Sequence, residues 1–224
     1  KNITASAATV TKSGDGCYYI ADTVIVNKTY SVPATYVPGN LVWADKSYAP
    51  DGRSQARINA GAYAAFKKMA SAAKSAGIMN LTIASGYRSV SAQKTLYNDY
   101  VKKDGPSQAD RYSARAGHSE HHTGLAIDVC SADSSLYASN QQYKDMAAWL
   151  EKNCTKYGFI IRYPKGKEEV TGYKYEPWHI RYIGNNALCT KITAAGSLED
   201  YYNITSSYND SDDTTSNAEQ VLQG

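Results

Sequence analysis

Apolar residues recur at spacings of three and four between positions 54 and 76 of this 224-residue chain. Side chains spaced in this way share one face of an α-helix, so the pattern predicts an amphipathic helix with a buried stripe. Gly77 follows directly and ends the helix. The stripe consists of Ile58, Ala62, Ala65, Phe66, Met69, Ala73 and Ala76.

Shorter patterns alternate strands with helices along the rest of the chain. The predicted strands cover 23–26, 81–85, 125–129 and 175–183, the last interrupted by Pro177. The predicted helices cover 91–103, 141–157 and 197–202, with Gly105-Pro106 after the first and Gly158 after the second. Because helices alternate with strands that read as antiparallel, the pattern predicts an α+β fold.

Composition divides the chain into a lead, one main domain and a tail. Residues 1–20 are predicted to be irregular or an edge strand, and a long entry loop punctuated by Pro33, Pro38 and Pro50 follows the first strand of the domain. With 42% hydrophobic residues the chain can build one core, which we place in residues 21–204. Residues 205–224 are rich in Ser, Asn, Asp and Thr, so we expect a mobile tail unless it docks.

Charge and hydropathy argue against two classes of partner. The net charge is +3 and no block of lysines and arginines forms, so nucleic acid is not an expected partner. No stretch approaches the roughly 18 apolar residues that a membrane helix needs. No signal segment opens the chain at Lys1, although an upstream signal or anchor is compatible with the sequence. We expect a soluble monomer.

The cysteines are widely spaced and include no C-x-x-C pair, which argues against a zinc ribbon or a thioredoxin-type site. An even number of cysteines fits disulfides in an oxidising, extracellular setting, and sequence cannot separate the possible connectivities. The alternative is that Cys154 is a buried thiol, because it shares a helical face with Tyr143, Ala147 and Leu150. We predict disulfides among Cys17, Cys130, Cys154 and Cys189.

All four histidines fall in two short segments, a distribution typical of a metal site. His118, His121 and His122 run into the strand at 125–129, and His179 closes Glu176-Pro177-Trp178-His179. Two imidazoles and one carboxylate would suit a catalytic zinc that keeps its fourth position for water. Alternation along the strand turns Asp128 away from the core face, so its carboxylate is available. The alternative is that the histidines are hydrogen-bonded core residues.

Glu176 lies three residues before His179, and in a regular strand residues with that spacing point to opposite faces. Pro177 fixes its own φ and removes a backbone donor. We therefore predict a bulge or bend that turns both side chains inward. Glu176 can then serve as a base.

Several motifs carry a resemblance to a known family. They are Ser119-x-His121-x-x-Gly124-x-Ala126-x-Asp128, Glu176-Pro177-Trp178-His179, Ser85-Gly86-Tyr87-Arg88-Ser89, Gln93 and Val26-Asn27-Lys28. In these the chain resembles the VanY-type D-alanyl-D-alanine carboxypeptidases, relatives of VanX dipeptidases, lysostaphin-like endopeptidases and the hedgehog signalling domain. The lysostaphin branch is less similar, because it has an H-x-H element where this chain has Pro177 before Trp178-His179. The resemblance covers about residues 20–204.

The resemblance implies an α+β fold with a small antiparallel sheet flanked by helices. It implies a zinc ion held by His121, Asp128 and His179, with Glu176 as the general acid/base. It also implies that the substrate contacts the side chains of Gln93 and Ser119.

Arg88 is the expected substrate anchor and a candidate catalytic residue. An enzyme that releases a C-terminal amino acid must recognise a free carboxylate, and a guanidinium offers a planar fork for it. Arg88 could instead steady the tetrahedral oxyanion, or be a surface arginine in a salt bridge. Tyr87 and Trp178 are expected to wall the pocket, although core packing explains a tryptophan equally well. His118 and His122 are either supports of the ligand residues or plain surface histidines.

The leading hypothesis is a zinc carboxypeptidase that removes the C-terminal D-Ala of peptidoglycan stem peptides outside a bacterial cell. An alternative with the same chemistry is an L,D-carboxypeptidase that acts on the tetrapeptide stem. A third hypothesis, from a different class, is a zinc-bearing, non-catalytic cell-wall binding module. Glu176 argues against this last hypothesis, because a pure binder needs no base.

Overall fold

The computed structural model describes residues 9–49, 56–78, 80–131 and 141–209. The strands are β1 (Thr11–Lys12), β2 (Tyr18–Ile20), β3 (Thr23–Ile25), β4 (Leu41–Trp43), β5 (Arg57–Asn59), β6 (Leu81–Ser85), β7 (Ala126–Ser131), β8 (Phe159–Tyr163) and β9 (Glu176–Tyr182). The α-helices are α1 (Ala60–Ser75), α2 (Val90–Asp104), α3 (Pro106–Ala109), α4 (Gln141–Asn153), α5 (Glu168–Thr171), α6 (Asn186–Ala195) and α7 (Leu198–Tyr202). Two 3₁₀ turns span Glu120–Thr123 and Cys154–Tyr157. Among these helices none is long and apolar enough to cross a membrane.

A four-stranded antiparallel sheet in the order β6-β7-β9-β8 forms the centre of the fold. On β7, Ile127 and Val129 face a core that they share with apolar residues of α1 and α4. Because successive side chains of a strand point to opposite faces, Asp128 lies on the face away from this core, as predicted. The predicted α+β class with a small antiparallel sheet is confirmed.

Helix α1 begins later than the apolar stripe predicts. Arg57–Asn59 form β5, which pairs with β4, and helix geometry starts only at Ala60. The Asn59 side chain accepts hydrogen bonds from the amides of Gly61 and Ala62, so it caps the helix at this point. Ile58 is buried as a residue of β5 and not of the helix. Its burial explains why the apolar stripe placed the start of the helix too early. Residues 54 and 55 lie outside the described residues.

The other central elements lie close to their predicted positions. α2 spans Val90–Asp104, and the predicted helix over 141–157 is α4 continued by a 3₁₀ turn that ends at Gly158. On β9, Glu176 pairs with Tyr163, whereas Ile180 pairs with Ile161, so three residues of β9 lie opposite one residue of β8. The predicted bulge at Pro177 is therefore present.

The first and last described elements surround a second, smaller core. β1, β2 and β3 make an antiparallel sheet, and residues of β2, β3, β8, α6 and α7 bury apolar side chains together. The beginning of the tail is docked: the Asn27 amide donates to the carbonyl of Thr205, and the Ser206 hydroxyl donates to the carbonyl of Thr171. Tyr208 packs against Arg115. Residues 210–224 of the expected mobile tail lie outside the described residues.

The predicted disulfides are absent from the structure. Cys17, Cys130, Cys154 and Cys189 are all buried as thiols. Cys154 belongs to the main core, and Cys189 belongs to the smaller one beside Ile160 and Ile192. A buried cysteine packs as a small hydrophobic residue, which is the alternative that the helical face of Cys154 indicated.

Gly86, directly after β6, packs closely against β5. A Cβ atom there would lie 2.5 Å from the carbonyl oxygen of Arg57 and 2.9 Å from Cγ1 of Ile58. Neither neighbour is a flexible side-chain end, so an added methyl must displace the β5 backbone.

We predict that Gly86→Ala lowers the free energy of unfolding by about 1–3 kcal/mol, the usual cost of overpacking. Gly39→Ala is the matched control, because a Cβ at Gly39 would meet no atom within 4 Å. Chemical denaturation of both variants measures the effect, and equal stabilities would contradict the packing argument.

Candidate metal centre and substrate pocket

Two paired strands and one turn bring three predicted metal ligands together. Asp128 on β7 and His179 on β9 are direct cross-strand partners. His121 comes from the 3₁₀ turn that leads into β7, and Gly124 ends that turn in the left-handed region at φ 69°. A Cβ at Gly124 would lie 2.6 Å from Leu41 Cδ2, the movable end of a side chain, so it is the left-handed backbone that favours glycine here.

The three side chains have the geometry of a metal site. His121 Nε2 lies 3.2 Å from Asp128 Oδ2, and His179 Nδ1 lies 3.1 Å from Asp128 Oδ1. One nitrogen of each imidazole and one oxygen of Asp128 all lie within 4.8 Å of one another. Asp128 Oδ1 is buried without a hydrogen-bond partner. Two imidazoles and a carboxylate that converge on one point can therefore hold a metal ion.

Protonation of these groups reflects burial and their mutual contacts. Burial lowers the pKa of His121 in spite of the nearby Asp128. For His179, burial acts in the same direction, but contacts with Asp128 and Glu120 outweigh it and raise the pKa to about 9. Burial opposes ionisation of Asp128, yet the two histidines hold its pKa below the usual range. Since a ligating nitrogen must be unprotonated, a metal ion competes with a proton for His179.

The β9 bulge brings Glu176 to the same centre. Its Oε2 lies 3.7 Å from His179 Nδ1, so the bulge turns both side chains to one side. Burial raises the pKa of Glu176 to about 8, and the charge of Asp128 contributes to this rise. The charges of His179 and Arg88 lower this pKa, but burial outweighs them. A carboxyl group with a pKa shifted toward neutrality has the property that a general base requires.

Arg88 is held in the pocket by uncharged partners. Its Nη1 donates to Gln93 Oε1 at 2.7 Å, and its Nη2 donates to Ser85 Oγ at 2.9 Å. Gln93 is buried and is itself fixed, because its amide donates to the carbonyl of Ala114 at 2.7 Å. No carboxylate is the partner in either of these guanidinium bonds, so the surface salt bridge considered above does not describe Arg88.

The pocket around these groups has a cavity of about 80 Å³. Of the predicted substrate contacts it contains Arg88, Gln93, Ser119 and Trp178, and the Ser119 hydroxyl also accepts from the amide of His121. Tyr87 is not part of the lining, and its ring lies 4.9 Å from the Arg57 guanidinium. The expectation that Tyr87 walls the pocket is thus not met. Sequence reasoning missed the tyrosines that line it: Tyr100, Tyr112, Tyr163 and Tyr173.

The other two histidines support the loops around the site. His122 is buried, accepts from the amide of Gly117 and lies 2.7 Å from the carbonyl oxygen of Arg88. Burial lowers its pKa to about 4, so it is neutral and its Nδ1 donates to that carbonyl. His118 Nδ1 lies 2.9 Å from the Asn27 carbonyl oxygen, and its ring packs edge-on against Tyr208. Neither is a surface histidine without contacts.

Comparison with known proteins agrees with this arrangement. Residues 55–185 match the VanY family model, described as D-alanyl-D-alanine carboxypeptidase. The chain belongs to the VanY family. It is 41% identical over 181 residues to the putative carboxypeptidase YodJ of Bacillus subtilis (strain 168), which is 80% of this chain and 66% of YodJ. The chain spans at most 66% of the length of the curated relatives that it matches.

Two solved structures are similar to this chain in sequence and fold. The LdcB LD-carboxypeptidase is 38% identical with a TM-score of 0.72, and the match covers 91% of this chain and 100% of LdcB. A mutant of the vancomycin resistance D,D-pentapeptidase VanY, solved in complex with Zn(II), is 29% identical with a TM-score of 0.66. That match covers 79% of this chain and 96% of the other. The resemblance to VanY-type enzymes drawn from the motifs is confirmed.

Proposed function

We propose that this protein is a zinc-dependent carboxypeptidase that removes the C-terminal D-alanine of peptidoglycan stem peptides. One observation carries the proposal: three metal-ligand atoms, the partly buried Glu176 carboxyl group and the Arg88 guanidinium line a single pocket. The donor set of two imidazoles and one carboxylate is that of catalytic zinc sites. The Zn(II) complex of the VanY relative supports the choice of metal.

The proposed roles divide the reaction between Glu176 and the metal centre. When bound, zinc supplies a water of lowered pKa and polarises the scissile carbonyl. Glu176 takes one proton from the attacking water as the new C–O bond forms. The same carboxyl group then gives that proton to the departing amine as the C–N bond breaks, so that free D-alanine leaves. Its position on the β9 bulge places Glu176 Oε2 3.7 Å from the ligand atom Nδ1 of His179, beside the point where the water would be held.

Arg88 determines the orientation of the bound substrate in this proposal. A stem peptide ends in a free carboxylate, and a guanidinium binds such a group through two parallel hydrogen bonds. Gln93 and Ser85 hold the Arg88 fork in place without neutralising its charge. The substrate would then lie with its terminal residue at Arg88 and its scissile bond beside Glu176.

Two substrate classes fit these roles, and both lose a terminal D-alanine. The description of the family model favours a D,D-carboxypeptidase, which acts on a pentapeptide ending in D-Ala-D-Ala. The match to the whole LdcB chain at 38% identity favours an L,D-carboxypeptidase, which acts on the tetrapeptide. We take the D,D-activity as the first candidate and the L,D-activity as the second. Both place the protein at the cell wall, outside the bacterial cell.

The test of the function is the release of D-alanine from pentapeptide and tetrapeptide muropeptides, assayed side by side. We expect release from at least one of them, its loss after chelation, and its return with added zinc. Glu176→Gln should lower kcat by at least about 100-fold, since the amide cannot accept the proton. The zinc content of this variant should be unchanged.

Glu168→Gln is the matched control, because Glu168 pairs with Arg111 and neither residue lines the pocket. Bound zinc without release of D-alanine from either muropeptide would support a binding module instead. Near-native turnover by Glu176→Gln would show that Glu176 is not the general base.

A second prediction concerns the recognition of the terminal carboxylate. Native kcat/KM should be at least tenfold higher for a stem peptide with a free C-terminus than for its amide, because the amide carries no charge for Arg88. Arg88→Ala should abolish most of this preference, and Arg88→Lys should restore little, since the bidentate fork is lost.

Arg111→Ala provides the control for this pair of variants, because Arg111 is a half-exposed arginine bound to Glu168. The comparison of kcat/KM for acid and amide forms decides the point. Equal values with the native protein would rule out carboxylate recognition and favour cleavage within cross-links.

A further inference from the structure

A buried network of four charged side chains lies behind the metal centre. Glu120, Arg162, Arg181 and Glu199 are each at most 1% exposed. Their formal charges cancel, as is required of ionised groups in a protein interior. They come from four separate parts of the fold: the 3₁₀ turn, β8, β9 and α7.

The two carboxylates of this network are bound differently. Glu199 uses both oxygens on Arg162, at 2.6 and 2.8 Å, and also accepts from the Asn27 amide. Glu120 uses only Oε1, which accepts from Arg162 and from Arg181 at 2.7 Å each. Its Oε2 is buried without a hydrogen-bond partner. One carboxylate is therefore fully occupied, and the other has one oxygen left over.

The remaining oxygen of Glu120 faces the metal ligand His179. Oε2 lies 3.7 Å from His179 Nε2, a nitrogen that is also buried without a hydrogen-bond partner. The other ring nitrogen, Nδ1, lies on the opposite edge, 3.1 Å from Asp128. The imidazole is thus placed between two carboxylates, one on the metal side and one on the network side.

Chemistry assigns different tasks to the two nitrogens. A ligating imidazole commonly donates its second N–H to a carboxylate or carbonyl, which fixes the tautomer and the ring orientation. His121 has such a partner, because its Nδ1 lies 2.7 Å from the carbonyl oxygen of Gly86 while its Nε2 faces Asp128. His179 makes no such bond in the structure, but an unpartnered acceptor, Glu120 Oε2, lies 3.7 Å from its Nε2.

We propose that Glu120 is a positioning residue, which accepts the Nε2–H of His179 and so directs Nδ1 toward the metal. Arg162 and Arg181 hold the carboxylate in the orientation that this requires. This inference rests on the zinc site of the proposed function.

The position of Glu120 also excludes another role. It lies on the side of His179 away from Asp128 and Glu176, so it cannot take the place of Glu176 as the base. The sequence motif Ser119-Glu120-His121 suggested no such task, because Glu120 acts on a histidine that is 59 positions further along the chain.

The test compares Glu120→Gln with Glu199→Gln, two changes of the same size in the same buried network. Both remove a charge that faces Arg162, so a merely structural role predicts similar effects on every property. We expect both variants to lower the melting temperature of the metal-free protein. Only Glu120→Gln should weaken zinc binding, by about 10- to 100-fold in Kd as measured by competition with a chelator. Glu199→Gln should stay within threefold of the native Kd.

The possible results separate this inference from the proposed function. A Glu120→Gln variant with native zinc affinity, or equal weakening in both variants, would overturn the positioning role. A native protein that binds no zinc would overturn the proposed function itself, before the variants are compared.

A measurement on the native protein avoids the risk that a variant does not fold. In zinc-loaded protein labelled with ¹⁵N-histidine, long-range ¹H–¹⁵N spectra show which ring nitrogen carries the proton. We expect the proton of His179 on Nε2 and that of His121 on Nδ1. A proton on Nδ1 of His179 would contradict the proposal.

Discussion

The site depends on the pairing of β7 with β9, which places Asp128 directly opposite His179. Side chains on paired strands alternate between two faces, so a slip of one residue would send one of these two side chains to the wrong face. Burial of Ile127 and Val129 in the main core prevents that slip. The hydrophobic face of the sheet thereby fixes the positions of the polar groups on its other face.

Two local departures from regular structure complete the site. The turn that ends at Gly124 delivers His121 to the end of β7, and the bulge at Pro177 turns Glu176 to the same side as His179. A regular strand would place Glu176 on the far face. Polar groups of the pocket are held in place by hydrogen bonds to one another and to backbone carbonyls, as Arg88 is by Gln93 and Gln93 by Ala114. Such preorganisation reduces the ordering that binding would otherwise require.

Much of this arrangement could be predicted from the sequence, because the apolar periodicity and the motifs are local. The strand around Asp128, the helix that carries Gln93 and the bulge at Pro177 all follow from neighbouring residues. The start of α1 could not be predicted from its apolar stripe, since Ile58 would be buried in a strand as well as in a helix. The cap at Asn59 determines where the helix begins. Disulfides were predicted from an even cysteine count, which carries no information on packing.

The remaining differences depend on contacts that are distant in sequence. Tyr87 packs on Arg57 from another strand, and the pocket is lined instead by tyrosines from separate elements. The role of Glu120 depends on Arg162 and Arg181, which follow it by 42 and 61 positions. No local pattern identifies a carboxylate that acts through such partners.

The metal centre is tested most directly by anomalous diffraction at the zinc edge from crystals of the zinc-loaded protein. We predict one zinc peak per chain, within about 2.0–2.2 Å of atoms of His121, Asp128 and His179. Glu176 should lie beside the peak without ligating it. A zinc peak at other residues, or no peak in this pocket, would contradict the assignment of the metal centre and the function built on it.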